Sequence, residues 1–71
     1  MNNNCGKILK ELRISKGITL QEIQTKYGHN AGWISQIENN QIKPRPKTIK
    51  VLAELYGVDY VELYNKITEG E

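Results

Sequence analysis

Four helix-ending residues divide the 71-residue chain into short segments, and this constrains the fold more than any other sequence feature. Gly17, Gly28 and Gly57 each follow a run with helical apolar spacing, and glycine readily adopts the left-handed conformation that ends many helices. Asn40 follows a further run, and asparagine tolerates that conformation better than most residues. A sequence with helix-ending residues at these intervals is expected to form short helices, and none of its segments is a candidate strand.

The starts of the helices are also marked in the sequence. Thr19 and Glu22 have the spacing of a capping box, in which each side chain accepts a hydrogen bond from the backbone N–H of the other residue. Asp59 and Glu62 repeat this spacing further along the chain. Asn30 is a suitable N-cap for the helix that lies between these two boxes.

These signals predict an all-α fold of five helices in one domain. The helices are expected at residues 5–16, 20–27, 31–39, 46–56 and 60–68, within a domain over 5–68 and with flexible ends at 1–4 and 69–71. Pro46 fits the first turn of the fourth helix, where its missing N–H costs little. Only about three residues separate the second and third helices, which is the turn length of a helix-turn-helix unit.

Composition limits the classes of function. Ten Lys and Arg against eight Asp and Glu give a net charge of +2, so any nucleic-acid binding depends on where the charges lie. The single Cys5 excludes an internal disulfide, and we expect a cytoplasmic protein without signal peptide or membrane partner. One histidine, His29, supports neither a metal site nor a Ser/His/Asp arrangement. We therefore expect no enzyme, no metal and no cofactor.

A set of short motifs spans the second to fourth predicted helices. They read Ile18-Thr19-x-x-Glu22-Ile23, Gly28, Trp33-Ile34-Ser35-Gln36-Ile37-Glu38-Asn39, Pro44 and Leu52-Ala53-x-Leu55-x-Gly57-Val58. This set resembles the repressor/Cro family, also called the XRE type of helix-turn-helix proteins. The resemblance covers roughly residues 5–63 and implies a five-helix, lambda-repressor-like DNA-binding domain.

Four positions depart from the pattern of that family. Leu20 stands where the family usually has a glutamine that helps to grip a phosphate, so this contact is not carried over. Gln24 and His29 replace a small alanine and a buried valine, which predicts a looser or wetter turn. Asn40 replaces the usual glycine, and none of the four changes breaks the fold assignment.

The resemblance implies that the third helix enters the major groove and meets base edges near its N-terminus. The implied base-contact positions are Ala31, Gly32, Ser35 and Gln36. Gln36 can form two hydrogen bonds with adenine, and Ala31 can touch a thymine methyl group. For Ala31 and Gly32 we favour the simpler interpretation that small side chains let the backbone approach DNA closely.

A second set of residues is implied to contact the DNA backbone: Trp33, Asn39, Lys43, Arg45 and Lys47. Trp33 either packs on the sugar-phosphate backbone or covers the second helix at the rim of the core. The basic cluster, which extends to Lys50, either grips phosphate or is a solvated loop. Lys26 is a weaker candidate.

The resemblance also implies a structural ion pair between Arg13 and Glu38. The function it implies is sequence-specific binding of double-stranded DNA by a transcriptional repressor. A homodimer is expected, because one recognition helix reads few base pairs and symmetric operators match dimeric proteins. Tyr60, Tyr64 and Ile67 are the candidate dimer contact, unless they pack on the first helix.

An alternative function is a protein-interaction module of the same fold. Such a module would be antitoxin-like or anti-repressor-binding, with a regulatory protein or peptide as its partner. The modest net charge and Leu20 are compatible with it. Salt-dependent DNA binding would distinguish the two functions.

Overall fold

The computed structural model describes residues 4–68, and residues 1–3 and 69–71, within the predicted flexible ends, lie outside this range. The five helices are α1 (Asn4–Ser15), α2 (Leu20–Thr25), α3 (Ala31–Glu38), α4 (Pro46–Tyr56) and α5 (Tyr60–Thr68). Residues 4–68 contain no strand, so the all-α, five-helix prediction is confirmed. Helix α1 begins at Asn4, one residue earlier than predicted.

Three helices end in the same hydrogen-bonded turn. Gly17, Asn40 and Gly57 have φ values of 69°, 61° and 70°. The N–H of the following residue reaches a carbonyl five positions back in each case: Ile18 to Arg13 at 3.2 Å, Gln41 to Gln36 at 2.8 Å and Val58 to Ala53 at 2.9 Å. This is the Schellman motif. Because its turn already includes residues 16 and 39, α1 ends at Ser15 and α3 at Glu38, one residue earlier than predicted.

Helix α2 is shorter than predicted, since it ends at Thr25 and not at Tyr27. The N–H groups of Lys26 and Tyr27 both donate to the carbonyl of Glu22, at 2.7 and 3.2 Å, and this sharing closes the helix. Gly28, with a φ of 74°, then reverses the chain. The connection between α2 and α3 therefore spans residues 26–30 and is longer than the predicted turn of about three residues.

All five helices contribute side chains to one core. Its buried apolar residues are Leu9, Ile23, Ile34, Ile37, Ile49, Leu52, Ala53, Tyr56, Leu63 and Ile67. Helix α2 packs on α3, and α4 packs on α5. Helix α1 packs on both α3 and α5, so it joins the two pairs. The orientation of α3 therefore depends on its contacts with α1 and α2.

Helix α1 crosses α3 at Gly6, where the two backbones are in direct contact. Gly6 is buried, and a Cβ atom built on it would lie 2.7 Å from the carbonyl oxygen of Ile37 and would also strike the carbonyl of Glu38. A residue without a side chain is what allows this approach. The crossing therefore places α1 directly behind the last turn of α3.

Candidate nucleic-acid interface

Helix α3 is capped at its start and packs against the core along its inner face. The side-chain oxygen of Asn30 accepts a hydrogen bond from the N–H of Trp33 at 3.1 Å, which caps the helix as expected for an N-cap asparagine. Ile34 and Ile37 are each 1% exposed and face the core. The opposite face of α3 is thereby directed away from the core.

The four implied base-contact residues share one face of α3. Gly32 and Gln36 are exposed, whereas Ala31 and Ser35 are half-buried. Residues four apart lie one above the other on a helix, so these two pairs form adjacent rows. Gln36 has the longest side chain among them.

The residue that follows α3 adds another polar side chain next to Ser35. Asn39 is exposed, and its Nδ2 lies 3.4 Å from Oγ of Ser35 in a weak hydrogen bond. This hydrogen bond uses neither the side-chain oxygen of Asn39, which is an acceptor, nor the hydroxyl hydrogen of Ser35, which is a donor. The surface therefore offers both donors and acceptors beside Gln36.

Trp33 lies at the edge of the core. It is half-buried and packs against the buried cluster. Its ring centroid lies 6.3 Å from that of His29 in the connection between α2 and α3, with a tilt of 43°. Both interpretations of Trp33 from the sequence, core rim and DNA contact, are compatible with this position.

The segment from residue 41 to residue 50 forms an exposed basic surface, here called the basic loop. Its cationic side chains are all exposed: Lys43, Arg45, Lys47 and, one turn further along α4, Lys50. It begins within the turn that ends α3, where the N–H groups of Gln41 and Ile42 both donate to the carbonyl of Gln36. Ile42 lies in it and is 37% exposed, an apolar contribution that the charge pattern of the sequence does not indicate.

Lys26, the weaker candidate, lies in the connection between α2 and α3. Its side chain is exposed, and its Nζ atom lies 5.7 Å from the centroid of the Tyr27 ring. This is a cation–π distance, worth about 0.5–1 kcal/mol at an exposed site. The lysine therefore already has a neighbour within its own turn.

Arg13 and Glu38 form a bidentate ion pair inside the fold. Nε of Arg13 donates to Glu38 at 2.8 Å and Nη2 donates at 3.2 Å. Nη1 donates to the carbonyl of Ile18 at 2.8 Å. The two side chains are only 9% and 4% exposed. Hydrogen bonding to Glu38 raises the pKa of Arg13 above its ordinary value, although burial acts in the opposite direction.

Tyr56 lies beside this ion pair. Burial, reinforced by the negative charge of Glu38, raises the pKa of the Tyr56 phenol to about 12. Among the residues that the structure describes, its hydroxyl is a buried side-chain oxygen without a hydrogen-bond partner. Tyr56 is therefore kept neutral next to the charges that join α1 to α3.

The candidate dimer residues separate into two groups. Ile67 is 5% exposed and belongs to the core, which favours the alternative that this residue packs inside the fold. Tyr60 and Tyr64 are half-buried with ring centroids 5.8 Å apart. Val61, which was not among the predicted contact residues, is 59% exposed on the same helix.

A family model described as a helix-turn-helix domain matches residues 6–69, which includes nearly all of the five helices. The chain belongs to the XRE-type helix-turn-helix family of DNA-binding transcriptional regulators. In this helix-turn-helix protein, α2 and α3 are the two helices of the unit. Within residues 4–68, no group of three or more His, Cys, Asp or Glu residues could hold a metal ion. None of the described helices is both long enough and apolar enough to cross a membrane.

Two curated proteins are similar to this helix-turn-helix protein. The "Uncharacterized HTH-type transcriptional regulator y4dJ" of Sinorhizobium fredii is 30% identical over 69 residues, which cover 97% of this chain and 90% of that protein. The "HTH-type transcriptional repressor RghR" of Bacillus subtilis is 39% identical over 62 residues, which cover 86% of this chain but 46% of that protein. No solved structure gives a significant match.

Proposed function

We propose that this protein is a transcriptional repressor that binds double-stranded DNA sequence-specifically and reads the major groove with α3. The observation that carries the proposal is the outward face of α3, where a capped helix backed by the core presents polar side chains beside the basic loop. The major groove of B-DNA admits one α-helix. The repressor role rests on the similarity to the B. subtilis protein, which is named a repressor.

In this proposal the residues of α3 divide by role. Gln36 reads a base through its amide, and Ser35 adds a shorter polar group in the next row. Ala31 and Gly32 give clearance, since neither has a side chain that keeps the helix axis away from the base edges. Contacts with base edges carry the sequence information, whereas phosphate contacts set the position of the protein on the duplex.

The phosphate contacts in this proposal come from Trp33, Asn39, Lys43, Arg45 and Lys47. Trp33 and Asn39 flank the reading face of α3, and the three cations extend it through the basic loop. A homodimer would place two copies of α3 on a two-fold symmetric operator. Tyr60, Tyr64 and the exposed Val61 are the proposed dimer contact.

The test begins by selecting bound sequences from random duplexes and identifying the operator. Binding titrations then compare the wild type with Gln36→Ala on operators that carry each base at every position. The variant should lose about 1–3 kcal/mol of discrimination at one base pair, because a bidentate amide contact is removed. Affinity for random DNA should stay nearly unchanged.

The matched control is Asn65→Ala, which removes an exposed side-chain amide from α5. This control should rank the operators as the wild type does. If Gln36→Ala also ranks all four bases as the wild type does, Gln36 is not a reader. If the wild type shows no salt-dependent DNA binding, the protein-interaction module becomes the better interpretation.

A further inference from the structure

Asn40 has an unfavourable backbone conformation for a residue with a side chain. Among the non-glycine residues that the structure describes, Asn40 alone has a positive φ, which is 61°. Asparagine tolerates this conformation better than most residues, but glycine adopts it at lower cost. The Asn40 side chain makes an interaction that glycine could not make, since its Oδ1 accepts a hydrogen bond from the N–H of Gly6 at 3.1 Å.

This hydrogen bond caps one helix from the end of another. Gly6 is the third residue of α1, and the first four N–H groups of a helix have no acceptor within it. Such donors are commonly satisfied by a side chain just before the helix. Here the acceptor lies 34 positions away, in the turn that ends α3.

The same turn connects the reading helix with the basic loop. Asn40 donates its N–H to Ile37 inside α3, and the next two residues, Gln41 and Ile42, turn back to the carbonyl of Gln36. Gly6 already lies against the backbone of this last turn. The Asn40 side chain therefore links α1 to the point where α3 becomes the basic loop.

Two side-chain links thus join α1 to the end of α3 and to the turn that follows it. The Arg13–Glu38 pair holds the last residue of α3 from within the core. The Asn40–Gly6 bond is only part-buried and holds the turn after α3. Loss of the second link would leave the ion pair and the core intact and free the turn after α3 together with the start of the basic loop.

We propose that Asn40 is a positioning residue for DNA reading: its side chain holds the turn after α3, and with it the start of the basic loop, in register against α1. This inference rests on the proposed function, because it concerns how base contacts and phosphate contacts are made at the same time. Base discrimination requires both sets to fit one duplex, and phosphate contacts fix the register of the reading helix.

Two variants test this role. Asn40→Gly keeps the favoured backbone conformation and removes the side-chain acceptor, whereas Asn40→Asp keeps an oxygen acceptor near the same N–H. Circular dichroism and thermal unfolding check that both variants fold. The readouts are the hydrogen-exchange rate of the Gly6 amide, relative to the core amide of Ile37, and the ratio of operator affinity to random-DNA affinity.

In Asn40→Gly, the Gly6 amide should exchange about tenfold faster relative to Ile37, the scale expected for one net hydrogen bond. The affinity ratio should fall by roughly three- to tenfold. Asn40→Asp should restore protection of Gly6 and most of the ratio. Its added charge weakens operator and random DNA alike, so the ratio is insensitive to that effect.

Unchanged Gly6 exchange in Asn40→Gly would overturn the proposal, because the link would then be absent. Faster exchange with an unchanged affinity ratio would overturn the positioning role. If Asn40→Asp protects Gly6 but loses as much of the ratio as Asn40→Gly, Asn40 contacts DNA directly and the proposal fails. A wild type without operator preference contradicts the proposed function and the reading role together, whereas the exchange data decide separately whether the link exists.

Discussion

At the residue scale, a few buried polar groups determine how α1 and α3 fit together. Arg13 uses three donor nitrogens, two toward Glu38 and one toward the carbonyl of Ile18. A buried pair of this kind is weak evidence for stability, since desolvation opposes the attraction between the charges. Removing one partner is strongly destabilising, because it leaves the other charge buried and unpaired.

Glu38→Ala should therefore lower the free energy of unfolding by about 3–5 kcal/mol, because Arg13 is left buried and unpaired. Urea unfolding at neutral pH measures this difference. Glu54→Ala removes an exposed glutamate from α4 and serves as the control, with an expected change within about 0.5 kcal/mol. Equal losses in the two variants would show that the pair does not have this structural role.

Tyr56→Phe should change the pH dependence of stability in the alkaline range. Burial raises the pKa of Tyr56 from 10.0 to about 12, so the folded state retains a proton that the unfolded chain releases. The contribution of this group to stability is fully present below pH 10 and is lost as the pH rises toward 12.

The phenylalanine variant lacks that decline. The difference in unfolding free energy between the two proteins should therefore shift in favour of the variant above pH 10. Near neutral pH the variant should be about as stable as the wild type, because the hydroxyl it loses has no hydrogen-bond partner. Tyr27→Phe removes the same group from an exposed side chain and is the matched control. Parallel curves for wild type and Tyr56→Phe up to pH 12 would contradict the shifted pKa.

At the element scale, the helix ends and one helix crossing set the position of the reading surface. The capping box of α2 has both of its hydrogen bonds, each 3.0 Å long, between Thr19 and Glu22. Asp59 accepts a hydrogen bond from the N–H of Glu62 at 3.0 Å at the start of α5. The crossing at Gly6 is more demanding, since it depends on the absence of one Cβ atom.

Gly6→Ala should destabilise the protein by about 1–3 kcal/mol, as overpacking of a tight contact does. Helix propensity alone would favour alanine by about 1 kcal/mol, so a net loss would show the effect of the crossing. Thermal and urea unfolding measure the change. Lys7→Ala, at an exposed position of the same helix, should have little effect. A variant more stable than the wild type would contradict the close backbone contact.

At the scale of the whole molecule, α1 joins two helix pairs with different surfaces. The pair of α2 and α3, extended by the basic loop, presents the reading face and most of the candidate phosphate contacts. The pair of α4 and α5 presents the aromatic surface of Tyr60 and Tyr64. The net charge is only +2, so any attraction to DNA depends on the concentration of cations in the basic loop.

Lys43→Ala and Arg45→Ala should each weaken binding to operator and random DNA by similar factors. The slope of log affinity against log salt concentration should shrink by roughly one unit for each lost phosphate contact. Lys66→Ala, an equal loss of charge on α5, is the matched control and should change the slope less. Identical slopes for the loop variants and the wild type would show that the basic loop does not contact phosphate.

The sequence by itself determined where helices start and stop, because those signals act over three to five residues. Thr19, Asn30, Gly17 and Gly57 each complete hydrogen bonds within their own turn, so their roles follow from residue type and spacing. The predicted ends of α1, α2 and α3 lie one or two residues beyond the observed ends. The end of α2 depends on how Lys26 and Tyr27 share one carbonyl, which spacing alone does not specify.

Only the tertiary structure decided which distant groups meet. Gly6 and Asn40 are 34 positions apart, and each has an adequate local explanation as a helix residue and a helix stop. On α5, apolar spacing does not tell which side chain faces inward, and the packing of α5 on α1 and α4 buries Ile67 while Tyr64 stays half-exposed. Local patterns specify the helices, but the angle and depth at which helices pack depend on side chains from several of them at once.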